Sequence, residues 1–350
     1  MRLAAGLPTA GWCAGLRRWA ERHRAASRAG GLVAPGAGRH AWRCAAALLA
    51  LAVAPITAAA GTLAAAARHS TTDHCSSTPG LSVEAQDRRL QAAELLRRAL
   101  ADSGTELALI ARNGLDLRQI GQRWSHAGLS LREGADRPWA VRQLYYACDE
   151  RRPRLFDQGL AGFLFGIDAP PGTAAEVAVW LLPPGPEAES LAAAARDTPR
   201  ALRLLAAQYS ANAHAFSTRY QNCNQWLAEL IGAAWGGLPD GPALRTRAQA
   251  WLAEAGYVPA RIELGSGLLV ALAGWLPMLH TDDHPADDRA AGLLRVSLPA
   301  AIGDFVVQRL PGVRRLALCQ IDDRVVIRRD GPPLDEACRP APGDEVHRLE

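Results

Sequence analysis

The chain of 350 residues contains no lysine, so its 39 basic Lys or Arg positions are all arginines. Because alanine is also abundant, we attribute this to biased composition rather than to function. The formal charge of +4 does not indicate function either, since it comes from residues 1–60, which hold eight arginines and one glutamate. The other 31 basic and 34 acidic side chains give a net charge of −3. The remainder of the chain therefore lacks the basic surface of a nucleic-acid-binding protein.

Composition also bounds the size of the fold. Apolar residues make up 49% of the chain, which is ample for a hydrophobic core. This length suits one domain of ordinary size with additions, or two modest domains.

The amino-terminal segment has the features of an export signal. Two arginines precede an apolar run that begins at Ala45, and Ala58-Ala59-Ala60 offers a cleavage site of the Ala-x-Ala type. The run is long enough to be an uncleaved anchor in the inner membrane, with the domain facing the periplasm, but Pro55 and the alanine-rich tail make it weakly apolar. No lipobox precedes Cys44 or Cys75. We therefore favour a cleaved signal and a periplasmic or secreted protein.

These features divide the chain into three parts. We predict a signal peptide over residues 1–60, a flexible mature amino terminus over 61–80 and a folded domain over 81–350. The basic region before the apolar run is unusually long. Translation starting near Leu32 or Val33 would give a signal of ordinary length.

Five cysteines follow the signal, and an odd number in an oxidising compartment leaves one thiol free. If Cys223 is the free one, Cys319 and Cys338 form the natural local pair, because they flank a strand-like segment and a turn. Cys75 and Cys148 then pair by elimination. Closing a loop of about twenty residues contributes roughly 3 kcal/mol to stability.

Cys223 stands at the start of a segment with helical periodicity. The apolar positions of this stripe are Trp226, Leu227, Leu230, Ile231 and Ala234. Polar residues such as Gln221 and Asn224 lie where the unpaired N–H groups of a first helical turn would be. A helix N-terminus with a nearby imidazolium lowers a cysteine pKa to roughly 3.5–7.5, which makes the sulfur nucleophilic. The alternative is a buried cysteine with a structural role only.

The pattern upstream predicts a helix followed by a β-hairpin. Val83–Ala101 has helical spacing, and Glu106–Ala111 alternates as a strand does. Two further strands, over Trp124–Leu131 and Trp139–Ala147, are joined by a turn at Glu133–Asp136. Folding this hairpin about its loop places Gln143 or a close neighbour opposite His126.

Downstream elements are read in the same way. We predict a third strand over Glu176–Leu182 and one or two helices over Glu187–Gln208, which lead to the cysteine helix. Leu316–Leu318 and Arg324–Ile327 read as strands of a carboxy-terminal region that is structural or shapes the substrate site.

The order of two short motifs carries a resemblance. A strand with Ser125-His126-Ala127-Gly128, followed far downstream by Asn222-Cys223 at the start of an amphipathic helix, resembles the circularly permuted branch of the papain-like fold. That branch includes permuted NlpC-type amidases and relatives of lecithin:retinol acyltransferase. Longer stretches, Trp124–Leu129, Tyr209–Trp226 and Asp282–Pro285, resemble an uncharacterised bacterial domain-of-unknown-function family that covers nearly the whole mature chain.

The resemblance implies a fold and a site. The fold is α+β, a circularly permuted papain-like (NlpC-type) antiparallel sheet packed against the cysteine helix, with added helices and a β-rich carboxy-terminal extension. The site is a Cys223 nucleophile, a His126 base and Gln143 as the residue that orients the imidazole. The third residue of the family is often His, Asn or Gln; the chain has no histidine there, so Gln143 is the best match. The Cys223 N–H, with Asn222 or Gln221, would bind the oxyanion.

Other histidines offer alternatives. His280, Asp282 and His284 supply nitrogen and oxygen ligands in a short window and would suit zinc or another divalent ion. The same window would equally serve as a solvated loop that caps the next helix near Pro285. His214, nine residues before the cysteine, is a rival base, but nothing in the sequence aims it at the thiol. We favour no metal and no cofactor.

Three classes of function stay open. The first is an exported thiol hydrolase or acyltransferase that acts on an amide or ester of the cell envelope. The second is a catalytically silent envelope protein of the same fold that binds a small molecule, peptide or lipid. The third is a structural periplasmic protein in which Cys223 is merely buried. None of them involves nucleic acid or a membrane span after signal cleavage.

Overall fold

The computed structural model describes residues 81–350, apart from 133–138, 149, 151, 168, 170–171 and 277. The helices are α1 (Val83–Ala101), α2 (Leu160–Phe165), α3 (Pro186–Arg196), α4 (Thr198–Arg203), α5 (Cys223–Trp235), α6 (Leu244–Glu254), α7 (Gly267–Ala273), α8 (Ala286–Ala290) and α9 (Pro299–Arg309). The strands are β1 (Leu107–Arg112), β2 (His126–Arg132), β3 (Trp139–Ala147), β4 (Arg152–Gly159), β5 (Ala175–Leu181), β6 (Ala260–Glu263), β7 (Leu293–Val296), β8 (Arg314–Ile321), β9 (Arg324–Arg329) and β10 (Glu345–Arg348).

Helix α1 has the predicted bounds. Ser82 caps its amino terminus, because the hydroxyl oxygen accepts from the N–H of Ala85 at 3.2 Å. A buried stripe faces the sheet at Ala92, Ala93, Leu96, Ala99 and Leu100. The helical spacing therefore predicted this helix correctly, because the apolar face of an amphipathic helix is the face that packs on the core.

Eight of the described strands form one antiparallel sheet, in the order β10-β9-β8-β5-β1-β2-β3-β4. Strands β6 and β7 form a separate antiparallel pair. Helix α5, which begins with the cysteine, packs on β2 and β3. The predicted α+β class, with an antiparallel sheet against the cysteine helix, is confirmed.

Strand β1 is buried on both faces and divides the core in two. Leu109 and Ala111 contribute to the cluster that contains α5. Ala108 and Ile110 contribute to the cluster that contains α1 and α2. Because side chains alternate along a strand, each position of the sheet belongs to one face or the other. This division decides which residues can meet at the site.

The β2–β3 hairpin forms as predicted, and β3 has the predicted bounds Trp139–Ala147. Its register pairs Leu129 with Arg142. Continuing that register places Tyr145 opposite His126 and Gln143 two residues away on the same face. The predicted turn at Glu133–Asp136 lies outside the described residues.

The carboxy-terminal strands join the main sheet. Strand β8 pairs with β5, and β9 and β10 extend the sheet beyond it. The predicted strands Leu316–Leu318 and Arg324–Ile327 fall within β8 and β9. The predicted β-rich extension therefore continues the same layer. Upstream, the predicted helical stretch after β5 contains two helices, α3 and α4.

The cysteine prediction is confirmed where the structure describes it. Cys319 and Cys338 form a disulfide, with Cα atoms 5.5 Å apart. Cys223 is a free thiol. Cys148 is disulfide-bonded, and its predicted partner Cys75 lies outside the described residues.

In the described part of the chain, no helix combines the length and apolarity needed to span a membrane. The predicted signal peptide, residues 1–60, and the predicted flexible segment, residues 61–80, lie outside the described residues.

Candidate functional site

Cys223 is the first residue of α5, the most deeply buried helix of the described structure. Every residue from Cys223 to Ala233 is buried. The carboxamide of Asn222 caps the helix, and its Oδ1 accepts from the N–H of Gln225 at 2.7 Å. The thiol therefore lies at the positive end of a helix inside the core.

His126 and Gln143 form a buried pair on one face of the hairpin. The Nε2 of His126 lies 2.7 Å from the Oε1 of Gln143. An amide oxygen only accepts hydrogen bonds, so this nitrogen carries the hydrogen and Nδ1 is the basic nitrogen of the ring. Tyr145 stacks on the imidazole, with ring centroids 4.6 Å apart and an interplanar angle of 8°. The pair that the sequence predicted is thus formed, with its tautomer fixed.

Asn224 connects the cysteine helix to the histidine strand. Its Oδ1 accepts from the N–H of Ala127 at 2.9 Å, and its Nδ2 donates to the carbonyl of Ser125 at 3.1 Å. These two backbone groups flank His126. The carbonyl of Ser125 also lies 4.0 Å from the sulfur of Cys223. The second residue of α5 therefore fixes the backbone around His126.

No hydrogen bond joins the thiol of Cys223 to His126 in the described residues. The thiol instead contacts the carbonyl of Ser125 and the hydroxyl of Tyr209. The two faces of β2 explain this arrangement, because Ala127 packs in the cluster of Cys223 whereas His126 stacks on the other face. The structure therefore places Cys223 and His126 at the same end of the sheet without direct contact.

The thiol is neutral in this environment. Burial raises the pKa of Cys223 to about 11, although the charge of Arg112, the backbone N–H of Asn224 and the hydroxyl of Tyr209 favour the thiolate. The expectation that the helix terminus would depress this pKa is wrong for this conformation. The helical N–H groups act in the expected direction, but loss of water is the larger effect.

Tyr209 is a part of the site that the sequence analysis did not single out. Burial raises the pKa of its hydroxyl well above the ordinary value, and the neighbouring Cys223 raises it further. Its ring packs against Tyr146, with centroids 5.3 Å apart. The hydroxyl of Tyr209 therefore lies within hydrogen-bonding reach of the sulfur.

The side chains of Asn222 and Gln221 are already engaged. The Nδ2 of Asn222 donates to the carbonyls of Ala211 and Ser297, both at 3.3 Å. Gln221 donates to a backbone carbonyl and to a buried carboxylate at 2.8 and 2.6 Å. A role for either amide in binding an oxyanion stays a prediction, and it would require one of these bonds to break.

A buried network anchors α5 from within. The carboxylate of Glu229 binds Arg245 at 2.8 and 2.9 Å, and it accepts from Gln249 and Gln221 at 2.6 Å each. Burial raises the pKa of Glu229, and Arg245 opposes that shift. Because Gln221 directly precedes the capping residue, the network also fixes the start of the helix.

A family model described as an uncharacterised protein conserved in bacteria (DUF2145) matches residues 99–306. The chain belongs to this family. The match runs from the end of α1 into α9, so it contains Cys223, His126 and Gln143 and ends before β8. No curated protein and no solved structure matches the chain.

In the described structure His280, Asp282 and His284 do not come together as a set of metal ligands. His280 stacks on Tyr220, with ring centroids 4.3 Å apart. Asp282 pairs with Arg219 at 2.7 Å, and the Nε2 of His284 lies 2.8 Å from a backbone carbonyl. Within the described residues, no three His, Cys, Asp or Glu side chains are placed to hold a metal ion. Each of these residues instead has a structural partner.

His214, the rival base, belongs to a different cluster. The ring of His214 lies 5.1 Å from that of His284, and the backbone N–H of His214 donates to the buried carboxylate of Asp283 at 2.9 Å. Burial lowers the pKa of His214, and the charge of His284 lowers it further. In the described residues no contact joins His214 to Cys223, so His126 remains the better candidate.

Proposed function

We propose that the chain is an exported thiol hydrolase or acyltransferase that acts on an amide or ester of the cell envelope. Cys223 is the nucleophile, His126 is the general base and Gln143 orients the imidazole. The observation that carries the proposal is the connection through Asn224. It ties a free cysteine at a helix N-terminus to the backbone on both sides of a histidine whose tautomer leaves Nδ1 basic.

The order of the elements supports a circularly permuted papain-like arrangement. The histidine strand comes first, the antiparallel sheet packs against the cysteine helix, and the helix begins at the nucleophile. The disulfide between Cys319 and Cys338 supports an oxidising compartment, because such bonds persist mainly in exported proteins.

The first step requires the side chain of Cys223 to leave Tyr209. Because His126 lies on the other face of β2, a change of rotamer together with a shift of the start of β2 brings the sulfur to Nδ1 of His126, which takes the thiol proton. The sulfur then bonds to the acyl carbon, and the carbonyl electron pair moves onto its oxygen. The N–H groups of Cys223 and Asn224, in the unpaired first turn of α5, are the donors for this oxyanion.

Collapse of the tetrahedral intermediate breaks the bond to the amine or alcohol. The imidazolium of His126 returns the proton to this leaving group, and a thioester on Cys223 remains. Water attacks the thioester in a hydrolase, whereas a second amine or alcohol attacks it in an acyltransferase. His126 takes the proton of the attacking group and returns it to the sulfur of Cys223 as the carbon–sulfur bond breaks, so one base serves both half-reactions.

One observation favours a second candidate, a binding protein of the same fold. The thiol of Cys223 bonds to Tyr209 and Ser125 rather than to His126, and its pKa of about 11 keeps it protonated. If no rotamer change occurs, the cysteine is inert and the site only binds.

Acyl-enzyme trapping separates the two candidates. The protein is incubated with p-nitrophenyl acetate, and the acetylated residue is located by peptide mass spectrometry. Catalysis predicts acetylation of Cys223, no adduct in Cys223→Ala, and slower acetylation in His126→Ala. His280→Ala is the matched control, since His280 stacks on Tyr220 away from the site. Equal acetylation of wild type and His126→Ala would remove His126 as the base.

A further inference from the structure

Two arginines lie buried close together on the face of the sheet that carries His126. Arg89 belongs to α1 and is 6% exposed, and Arg112 ends β1 and is 5% exposed. Burial, together with the positive charge of Arg112, lowers the pKa of Arg89 to about 10. Two guanidinium groups thus share a poorly solvated region.

Neither arginine has an acidic partner in the part of the chain that the structure describes. The Nε and Nη1 of Arg89 are buried without any hydrogen-bond partner, and so is the Nε of Arg112. The other nitrogens of Arg112 donate to the carbonyls of Asn113 and Gly166 and to the hydroxyl of Tyr145. Burying a charge without a counter-ion raises the free energy of the folded state, and a bound anion would remove that cost for the two arginines.

The pair adjoins the proposed catalytic residues. Arg112 binds Tyr145 at 3.0 Å, and Tyr145 stacks on His126. The charge of Arg112 also acts on the thiol of Cys223. A group held by the two arginines would therefore lie beside His126, on the same face of the sheet.

We infer that Arg89 and Arg112 form an oxyanion-binding subsite that holds a carboxylate or phosphate of the substrate. This assignment rests on the proposed function for its link to catalysis, and it narrows the substrates to amides or esters with an anionic group near the scissile bond. Guanidinium groups suit both oxyanions, because their planar N–H donors match carboxylate and phosphate geometry.

The test measures thermal unfolding in sodium acetate, in sodium phosphate and in sodium chloride at matched ionic strength and pH. At about a hundredfold excess over Kd, the bound oxyanion should raise the midpoint by about 5–10 °C above that in chloride. A response to acetate identifies a carboxylate subsite, and a response to phosphate alone identifies a phosphate subsite. No response to either overturns the inference.

Variants assign the response to the arginine pair. Arg89→Leu should abolish it and be at least as stable as wild type in chloride, because it removes an unpaired buried charge. Arg88→Leu, the neighbouring arginine on the same helix, should respond as wild type does. If Arg89→Leu does not fold, Arg89→Gln takes its place. An undiminished response in a folded Arg89 variant would contradict the assignment.

The same titration in Cys223→Ala keeps this test separate from catalysis. If the oxyanion still raises the unfolding midpoint of Cys223→Ala, but Cys223 of the wild type is not acetylated, the subsite is supported and the proposed function is ruled out. If Cys223 is acetylated but no oxyanion raises the unfolding midpoint, the proposed function is supported and the subsite is ruled out.

Discussion

The Oε1 of Gln143 accepts a hydrogen bond from the Nε2 of His126 at 2.7 Å, with both side chains buried. A neutral amide at this position orients the ring but adds no negative charge to stabilise an imidazolium. Proton transfer in the mechanism that we propose therefore relies on orientation, on the helix N-terminus and on the attraction between thiolate and imidazolium.

Gln143→Ala should lower the rate of Cys223 acetylation by about 10-fold, since losing orientation costs less than losing the base. The variant Gln143→Asn keeps an amide but shortens its reach, so its acetylation rate should fall between those of wild type and Gln143→Ala. The measurement is the rate of p-nitrophenolate release with circular dichroism as a check on folding. Wild-type activity in Gln143→Ala would mean that another residue orients His126.

Thiol labelling should depend strongly on pH. Because burial raises the pKa of Cys223 to about 11, the thiolate fraction and the iodoacetamide rate should rise about tenfold per pH unit from neutrality toward that value. Labelling of Cys223 is followed by peptide mass spectrometry between pH 6 and 10. A rate that levels off near pH 7 would show that the free protein already holds an activated thiolate.

Asn224→Ala should destabilise the fold by about 2–4 kcal/mol, because it leaves the N–H of Ala127 and the carbonyl of Ser125 without partners in the core. Asn222→Ala, which removes only a helix cap and its two weaker bonds, is the comparison and should cost about 1–2 kcal/mol. Urea unfolding measures both. A change within about 0.5 kcal/mol for Asn224→Ala would rule out the proposed connection as a stabilising feature.

Removal of the Cys319–Cys338 disulfide should cost about 3 kcal/mol, given a sequence separation of 19 residues. The double variant Cys319→Ala/Cys338→Ala should unfold at lower urea concentration, while Cys223 acetylation per folded molecule stays unchanged. Loss of acetylation at full folding would tie the carboxy-terminal strands to the site instead.

Cell fractionation tests the compartment. If the predicted signal over residues 1–60 is cleaved, the mature chain should appear in the periplasm or medium after osmotic shock, with an amino terminus near Ala60. Retention in the inner membrane after a salt wash would favour the uncleaved anchor.

Periodicity alone was sufficient for elements with one clear apolar pattern. Helix α1 and strand β3 have the predicted bounds, because buried positions recur in each at its own period. Strand β4 and helix α2 were missed. β4 lies at the sheet edge, is exposed at half of its positions and contains Pro153, so it lacks the apolar alternation that marks a strand.

The site was predictable only in part. His126 and Gln143 lie on one hairpin, so their pairing follows from local register. Asn224 and Tyr209 meet their partners through the fold: the bonds of Asn224 span 97 and 99 residues, and no local pattern reveals them. The thiol pKa was mispredicted because α5 is buried all round, whereas its sequence suggested a single buried stripe.

The place of β8 in the sheet has a practical consequence for fragments. The family match ends at residue 306, before β8, yet β8 covers one entire edge of the buried strand β5. A protein truncated at that boundary would expose a long apolar edge with unpaired N–H and C=O groups, which is a template for intermolecular strand pairing. Such a fragment should accumulate in inclusion bodies, whereas a chain that continues through β10 should stay in solution.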